Sequence, residues 1–390
     1  MENFVSQLPT KIIFGRGTEA GVGAEAARYS KKALLHFGGS SAEKSGLLSR
    51  VRASLAAAGV EWVELGGVKP NPALSLVRRG IALAKAEKVG IVLAVGGGSV
   101  IDSSKAIAVG ALADRDIWDY YSGAAPEPLQ ALPVGTVLTI PAAGSESSGG
   151  SVLTNEDGAL KRALNADCIV PRFSILNPEL AMTLPAGQIA NGAADIMAHL
   201  FERYFTNVRH VDFSDRLIEG TLRAVIAVAP KILADKTDYD AWAELMWAGC
   251  LAHNNLLDRG RIGDWASHMI EHELSGIYDV AHGAGLAVIF PAWMKYTLSH
   301  DPARFAQLAV RVWGVEPGYF DQEAVAREGI ARLEAFWKGL GLQVRLSGLG
   351  INLDRAAEMA RKCTEGDAFT TGQFVKLTSA DIEKIYRLAE

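Results

Sequence analysis

The stretch GIVLAVGGGSVID, Gly90 to Asp102, decides the fold class. A continuous apolar run, Gly90 to Val95, stops at three glycines, and a helix-forming segment begins at about Ser99. An uninterrupted run of this kind suits a strand covered on both faces, as in a parallel sheet.

Working outward, the same alternation recurs. KIIF (Lys11 to Phe14) and ALLHF (Ala33 to Phe37) are short apolar runs followed by glycine. GLLSRVRASLAAAG reads as an amphipathic helix, VEWVEL as a strand, PALSLVRRGIALAKAEK as a helix and VGTVLTI (Val134 to Ile140) as a further strand. Strands alternating with helices predict a doubly wound α/β, Rossmann-like domain. SVLTN, followed by EDG, reads as the start of a hairpin. After FSILNPELAMTLP strand candidates become few. AGQIANGAADIMAHLFERYF, FSDRLIEGTLRAVIAVAPKIL, DYDAWAELMWAGCLAHNNLL and EAVAREGIARLEAFWKGLG all carry helical spacing. The expected organisation is an α/β dinucleotide-binding domain over residues 1–183 and an all-α domain over 184–390, with no internal repeat.

Composition narrows the class. The chain has 390 residues, 49% hydrophobic and 21% charged, with a net charge of −5. With a pI of about 6.0 and no basic stripe, neither nucleic acid nor an anionic membrane is an expected partner. The start, MENFVSQLPTK, has no charged segment leading into an apolar run, and the longest apolar runs are too short to span a bilayer. Cys168, Cys250 and Cys363 are scattered and form no CxxC pair, which suits a cytoplasmic protein with reduced thiols.

Three glycine- and serine-rich stretches each follow a predicted parallel strand. In AVGGGSVID, the amides of Gly97, Gly98 and Ser99 at a helix start suit a phosphate, although a tight turn alone explains glycines there. In FGGSSAEKSG, Gly38, Gly39, Ser40 and Ser41 precede the nearest acid, Glu43. A small, open, hydroxyl-bearing turn suits the adenosine end of a dinucleotide and accepts a 2′-phosphate; an ordinary loop is the alternative. LTIPAAGSESSGG adds Gly144, Ser145 and Ser148. The three stretches are expected to gather at one sheet edge, where open α/β sheets bind ligands.

In DIMAHLFERYF, Asp195 and His199 stand four residues apart on one helical stripe of an apolar segment. A buried carboxylate there is either hydrogen-bonded to the histidine or bound to a metal. DWASHMIEHELSGIYDVAHG then holds three of the eight histidines, His268, His272 and His282. One carboxylate and three imidazoles make a set for zinc or ferrous iron. His36, His210, His253 and His300 read as ordinary core or surface residues.

GGGSVID, TIPAAGSES, the Asp195/His199 pair and HMIEHELSGIYDVAHG carry a resemblance. The chain resembles the iron-containing (group III) alcohol dehydrogenases, above all their NADPH-dependent aldehyde reductases and butanol dehydrogenases. The resemblance runs nearly end to end and extends in fold to the dehydroquinate synthases. It implies hydride transfer between NAD(P)H and an aldehyde or primary alcohol, with polyol oxidation of the glycerol dehydrogenase kind as the alternative. A non-catalytic nucleotide-binding protein is a distant third reading. The resemblance implies a divalent ion, Fe2+ or Zn2+, on Asp195, His199, His268 and His282, with His272 beside the nicotinamide and substrate without being a ligand; a proton relay through His272 is the role expected of it in the mechanism. The cofactor set it implies is Gly38, Gly39, Ser40, Asn71, Gly97, Gly98, Ser99, Asp102, Thr139, Ser145, Ser148 and Lys161. A homodimer is expected by the same resemblance. NAD-preferring relatives carry aspartate at the GGSS turn, so NADP is the expected cofactor and NAD the secondary one. Ala143 replaces a common threonine and Asn177 a usual aspartate.

Overall fold

The computed structural model describes residues 1–318 and 321–390. The chain forms two compact units. One holds Gln7–Leu184 with Gly249–Asn254; the other holds Pro185–Ala248 and Asn255–Glu390 with Met1–Ser6.

The first unit is built on a six-stranded sheet: β1 (Lys11–Phe14), β2 (Lys32–Phe37), β3 (Glu61–Leu65), β4 (Ile91–Gly96), β5 (Val134–Leu138) and, after a hairpin of β6 (Gly150–Asn155) and β7 (Leu160–Asn165), β8 (Phe173–Leu176). The strand order is β1-β8-β5-β4-β2-β3, and every pairing is parallel. β6 and β7 pair antiparallel, as SVLTN and EDG predict. All six residues of β4 are buried. Leu34 and Val92 join one apolar cluster and Leu35 and Leu93 another, so the sheet is covered on both faces, as the unbroken apolar run requires.

The covering helices include α1 (Leu47–Ala57), α2 (Leu74–Glu87) and α3 (Gly98–Leu112). α2 and α3 meet through reciprocal glycines. A Cβ on Gly80 would fall 2.3 Å from Ile107 Cδ1, and one on Gly110 would fall 2.2 Å from Ile81 Cδ1. Because β2, β4 and β5 are neighbours, the three glycine- and serine-rich stretches leave the sheet at one edge.

The second unit is helical: α4 (Ala186–Tyr204), α5 (Asp212–Ala234), α6 (Tyr239–His253, its last turn belonging to the first unit), α7 (Ala266–Tyr278), α8 (His282–Thr297), α9 (Pro302–Trp313), α10 (Gln322–Gly339), α11 (Ala356–Cys363) and α12 (Ser379–Leu388). Helix starts follow local chemistry. Asp301 caps α9 ahead of Pro302, Asp321 caps α10, and Thr378 with Asp381 forms a capping box on α12. The core is aromatic: Phe205 lies 4.5 Å from Phe305 and 5.0 Å from Trp293 between ring centres. α8 crosses α4 so closely that a Cβ on Gly283 would sit 2.0 Å from the Asn191 carbonyl oxygen. Among the described residues no helix is long and apolar enough to cross a membrane.

Candidate metal centre and cofactor loops

α4, α7 and α8 deliver four of the second unit's histidines to one largely buried place. Asp195 and His199 lie one turn apart on α4, His268 and His272 one turn apart on α7, and His282 opens α8. Ligand atoms of Asp195, His268 and His282 lie within 4.8 Å of one another. His199 stands beside this group: its Nδ1 is 3.7 Å from Asp195 Oδ1 and its ring centre 4.8 Å from that of His268. His282 Nε2 is 3.8 Å from the same Asp195 oxygen. His272 is buried, with its ring centre 5.6 Å from that of His282. It also belongs to a second group of close ligand atoms with Glu271 and His282.

Two carboxylates the sequence reading passed over support this arrangement. Glu202 is fully buried, and burial pushes its carboxyl up to about 8. It accepts hydrogen bonds from His268 N–H (3.0 Å), His268 Nδ1 (2.7 Å) and Trp265 N–H (2.6 Å). Glu271, also fully buried, accepts from His282 Nδ1 and Ser275 Oγ. A bound divalent cation favours the ionised carboxylates, which only accept, so each Nδ1 would then carry its ring's proton and each Nε2 the lone pair. Oxygen and imidazole donors in a buried group, with carboxylates behind two rings, fit a borderline divalent ion. A helical pattern holds the signal that was missed. Glu202 lies three residues after His199 and seven after Asp195, and Glu271 three after His268, so each shares its stripe with a candidate ligand.

α7 is bracketed by two non-glycine residues in the left-handed region, Trp265 (φ 65°) and Asp279 (φ 53°). Such backbone costs energy unless the surroundings hold it. At Trp265 they do: Glu202 takes its N–H, and the Arg203 guanidinium lies 4.8 Å over the indole. Arg203 in turn donates to the His199 carbonyl (3.0 Å) and to Asp258 (2.9 Å).

In the first unit, Gly97 and Gly98 begin α3 where the chain from β5 runs close by. A Cβ on Gly97 would fall 3.0 Å from Ile140, and one on Gly98 would fall 2.8 Å from the Ala143 Cβ. Glycine is therefore required there by packing, whatever else the amides bind. Thr139 N–H donates to the Gly96 carbonyl (3.0 Å), and Asn71 adopts a left-handed φ of 53°. Asp102 and Ser145 come together: Ser145 Oγ donates to Asp102 Oδ1 (2.5 Å), and Val152 N–H donates to Oδ2 (3.0 Å). Lys105, which sequence reading missed, is fully buried and donates to Ser145 Oγ (2.9 Å), the Ser148 carbonyl (2.9 Å) and the Gly150 carbonyl (2.7 Å). Burial lowers Lys105 to about 8 and raises Asp102, whose shift the charge of Lys105 opposes. Lys161 lies buried on β7.

Gly38 is half-buried, and Gly39 and Ser40 are exposed, at the end of β2. Arg52 takes up the nearest acid, donating to Glu43 (2.9 Å) and, through two nitrogens, to Glu64. Asn177 also finds its reason. Its side-chain amide donates to Glu19 (2.9 Å) while its oxygen accepts from Glu179 N–H (3.1 Å), so an aspartate would set like charges against Glu19.

Comparison with known proteins agrees across both units. A family model described as Iron-containing alcohol dehydrogenase matches residues 9–178, and one for the Fe-containing alcohol dehydrogenase family, C-terminal, matches residues 189–389. The chain is 43% identical over 387 residues to Probable NADH-dependent butanol dehydrogenase 1 of Bacillus subtilis (strain 168), covering 99% of both chains. It is 35% identical over 391 residues to NADPH-dependent aldehyde reductase YqhD of Escherichia coli (strain K12), covering 100% of both. The crystal structure of NADH-dependent butanol dehydrogenase A from Thermotoga maritima matches with a TM-score of 0.95 and 40% identity, over 100% of this chain and 99% of that one. With both units matched over nearly their whole length, the chain belongs to the iron-containing alcohol dehydrogenase family.

Proposed function

We propose that this protein is an NAD(P)H-dependent alcohol dehydrogenase that reduces aldehydes to primary alcohols, with NADPH its preferred reductant. The observation that carries the reading is the buried group of Asp195, His268 and His282 ligand atoms within 4.8 Å of one another. With His199, these residues would hold one divalent ion, Fe2+ or Zn2+. When bound, the ion supplies Lewis-acid polarisation of a carbonyl and the nicotinamide supplies the hydride.

The chain's own residues do the rest. Gly97, Gly98 and Ser99 present backbone amides at the start of α3 to the pyrophosphate. Asn71, Thr139, Ser148 and Lys161 complete the cofactor set, and Asp102 holds Ser145 in place within it. His272 passes a proton through its imidazole to the product oxygen. The lean to NADPH rests on the Gly38–Ser40 turn, whose nearest carboxylate, Glu43, is engaged by Arg52. No acid there competes with a 2′-phosphate. Named relatives are divided, the butanol dehydrogenases being NADH-dependent and the aldehyde reductase NADPH-dependent.

The test strips the enzyme of metal, reloads it with Zn2+ or Fe2+, and follows NADPH and NADH oxidation with butanal. Metal-dependent oxidation favouring NADPH supports the whole reading. A preference for NADH overturns the cofactor choice alone, and turnover by metal-free enzyme overturns the metal centre.

A further inference from the structure

We infer that Glu271 is a positioning carboxylate that sets metal affinity through His282, and that Gly285 is glycine because Glu271 needs its space. The inference rests on the reading of His282 as a metal ligand. His282 is the most exposed of the four candidate ligands, its side chain 25% accessible, and it is the first residue of α8. A helix's first turn lacks half its backbone hydrogen bonds, so its side chains are poorly fixed unless something else holds them. Glu271 provides that hold from the neighbouring helix: one carboxylate oxygen takes the His282 Nδ1 proton and the other accepts from Ser275 Oγ. The single Ser275 hydroxyl proton is shared between Glu271 and the Val280 carbonyl, 3.1 Å from Oγ, in the connection leading to His282. Ring and connection are thus tied to one buried anion. A carboxylate behind an imidazole fixes its tautomer and raises the basicity of the other nitrogen.

The glycine is the independent observation. A Cβ on Gly285 would lie 2.5 Å from Glu271 Oε1, 2.7 Å from Cγ and 3.0 Å from Cδ. Because Cγ is in the way as well as the carboxylate, turning the last bond of Glu271 does not clear the contact. α8 therefore carries His282 and, three residues on, the gap that admits its partner.

The experiment uses the full chain, metal-free, as parent, Glu271→Gln and Gly285→Ala. Zn2+ affinity is measured against a chromophoric chelator and the site is read by the visible absorption of bound Co2+. Gln keeps the shape of Glu and an acceptor for His282 but removes the charge; Ala keeps every ionisable group and displaces Glu271. Both are expected to weaken Zn2+ binding about 10- to 100-fold and to change the Co2+ spectrum, with metal-free melting close to the parent's for Glu271→Gln and lower for Gly285→Ala, whose Cβ crowds Glu271. Zn2+ affinity within about twofold of the parent, with an unchanged Co2+ spectrum, overturns the inference. A parent that takes up neither ion overturns the metal centre itself. Should Glu271→Gln fail to fold, Gly285→Ala decides.

Discussion

Asp102 and Lys105, one turn apart on α3, meet through a single hydroxyl: Ser145 Oγ donates to Asp102 Oδ1 at 2.5 Å and accepts from Lys105 Nζ at 2.9 Å. Lys105 also holds the carbonyls of Ser148 and Gly150, so one buried ammonium pins the chain that leaves β5 for the hairpin. Replacing it with methionine leaves two carbonyls and a carboxylate without their cation. Lys105→Met is expected to cost about 3–5 kcal/mol in denaturant unfolding, the range for breaking a buried pair from one side. In any folded fraction the KM for NADPH should rise roughly tenfold, a loss of about 1.4 kcal/mol, with kcat affected less. An unchanged KM would mean that the loop does not touch the cofactor.

Asp195 is the carboxylate common to the His199 and His282 contacts. Removing it takes away the anionic donor. Asp195→Ala is expected to lose bound metal, measured as metal per chain after dialysis, and activity with it. Full occupancy in the variant would refute the ligand assignment.

His272 shares the buried face of α7 with His268 but is assigned a different task. His272→Ala should retain metal and lower kcat on the order of 100-fold, the lower end for loss of a general acid. The pH–rate profile should flatten at the same time. Should turnover and profile both persist, the proton relay has no basis.

Ser40 is exposed at the end of β2. Ser40→Asp sets a carboxylate near the expected 2′-phosphate, and like charges about 4 Å apart cost on the order of 1 kcal/mol each even in water. The ratio of kcat/KM for NADPH over NADH should fall about tenfold. A ratio that stays put would move the 2′ position away from this turn.

His36 supplies a pH prediction about the fold. Burial lowers it from 6.5 to about 4, while it bonds the Leu65 carbonyl (2.7 Å) and Ser103 Oγ (2.8 Å). Because the folded value lies below the unfolded one, the unfolded chain takes up the proton first as pH falls. Stability is complete above about 6.5 and declines towards about 4, by roughly 3 kcal/mol in all. Urea unfolding across this range should show the decline, and His36→Gln should remove its share.

Much of the architecture was legible locally. The Gly90–Val95 run implied a doubly covered parallel strand because no face of it is polar, and neighbouring residues of β4 do divide between two apolar clusters. The histidine spacing on α7 was equally plain, since residues four apart on a helix share a face whatever surrounds them. Glu202 and Glu271 lay on those same stripes and were passed over. An acid on a helix is ordinary in sequence, and its meaning comes from the ring it faces. Lys105 was hidden for the same reason, as its three acceptors lie 40 to 45 residues further along the chain.

What the sequence by itself determined was which elements form and which candidate ligands share a helical face, because both follow from interactions within a few residues. Only the tertiary structure decided which side chains stand behind the candidate ligands and where glycine must leave room. The crossing of α7 and α8 sets Glu271 against His282 and Gly285, and that crossing depends on helix packing, which no local spacing encodes.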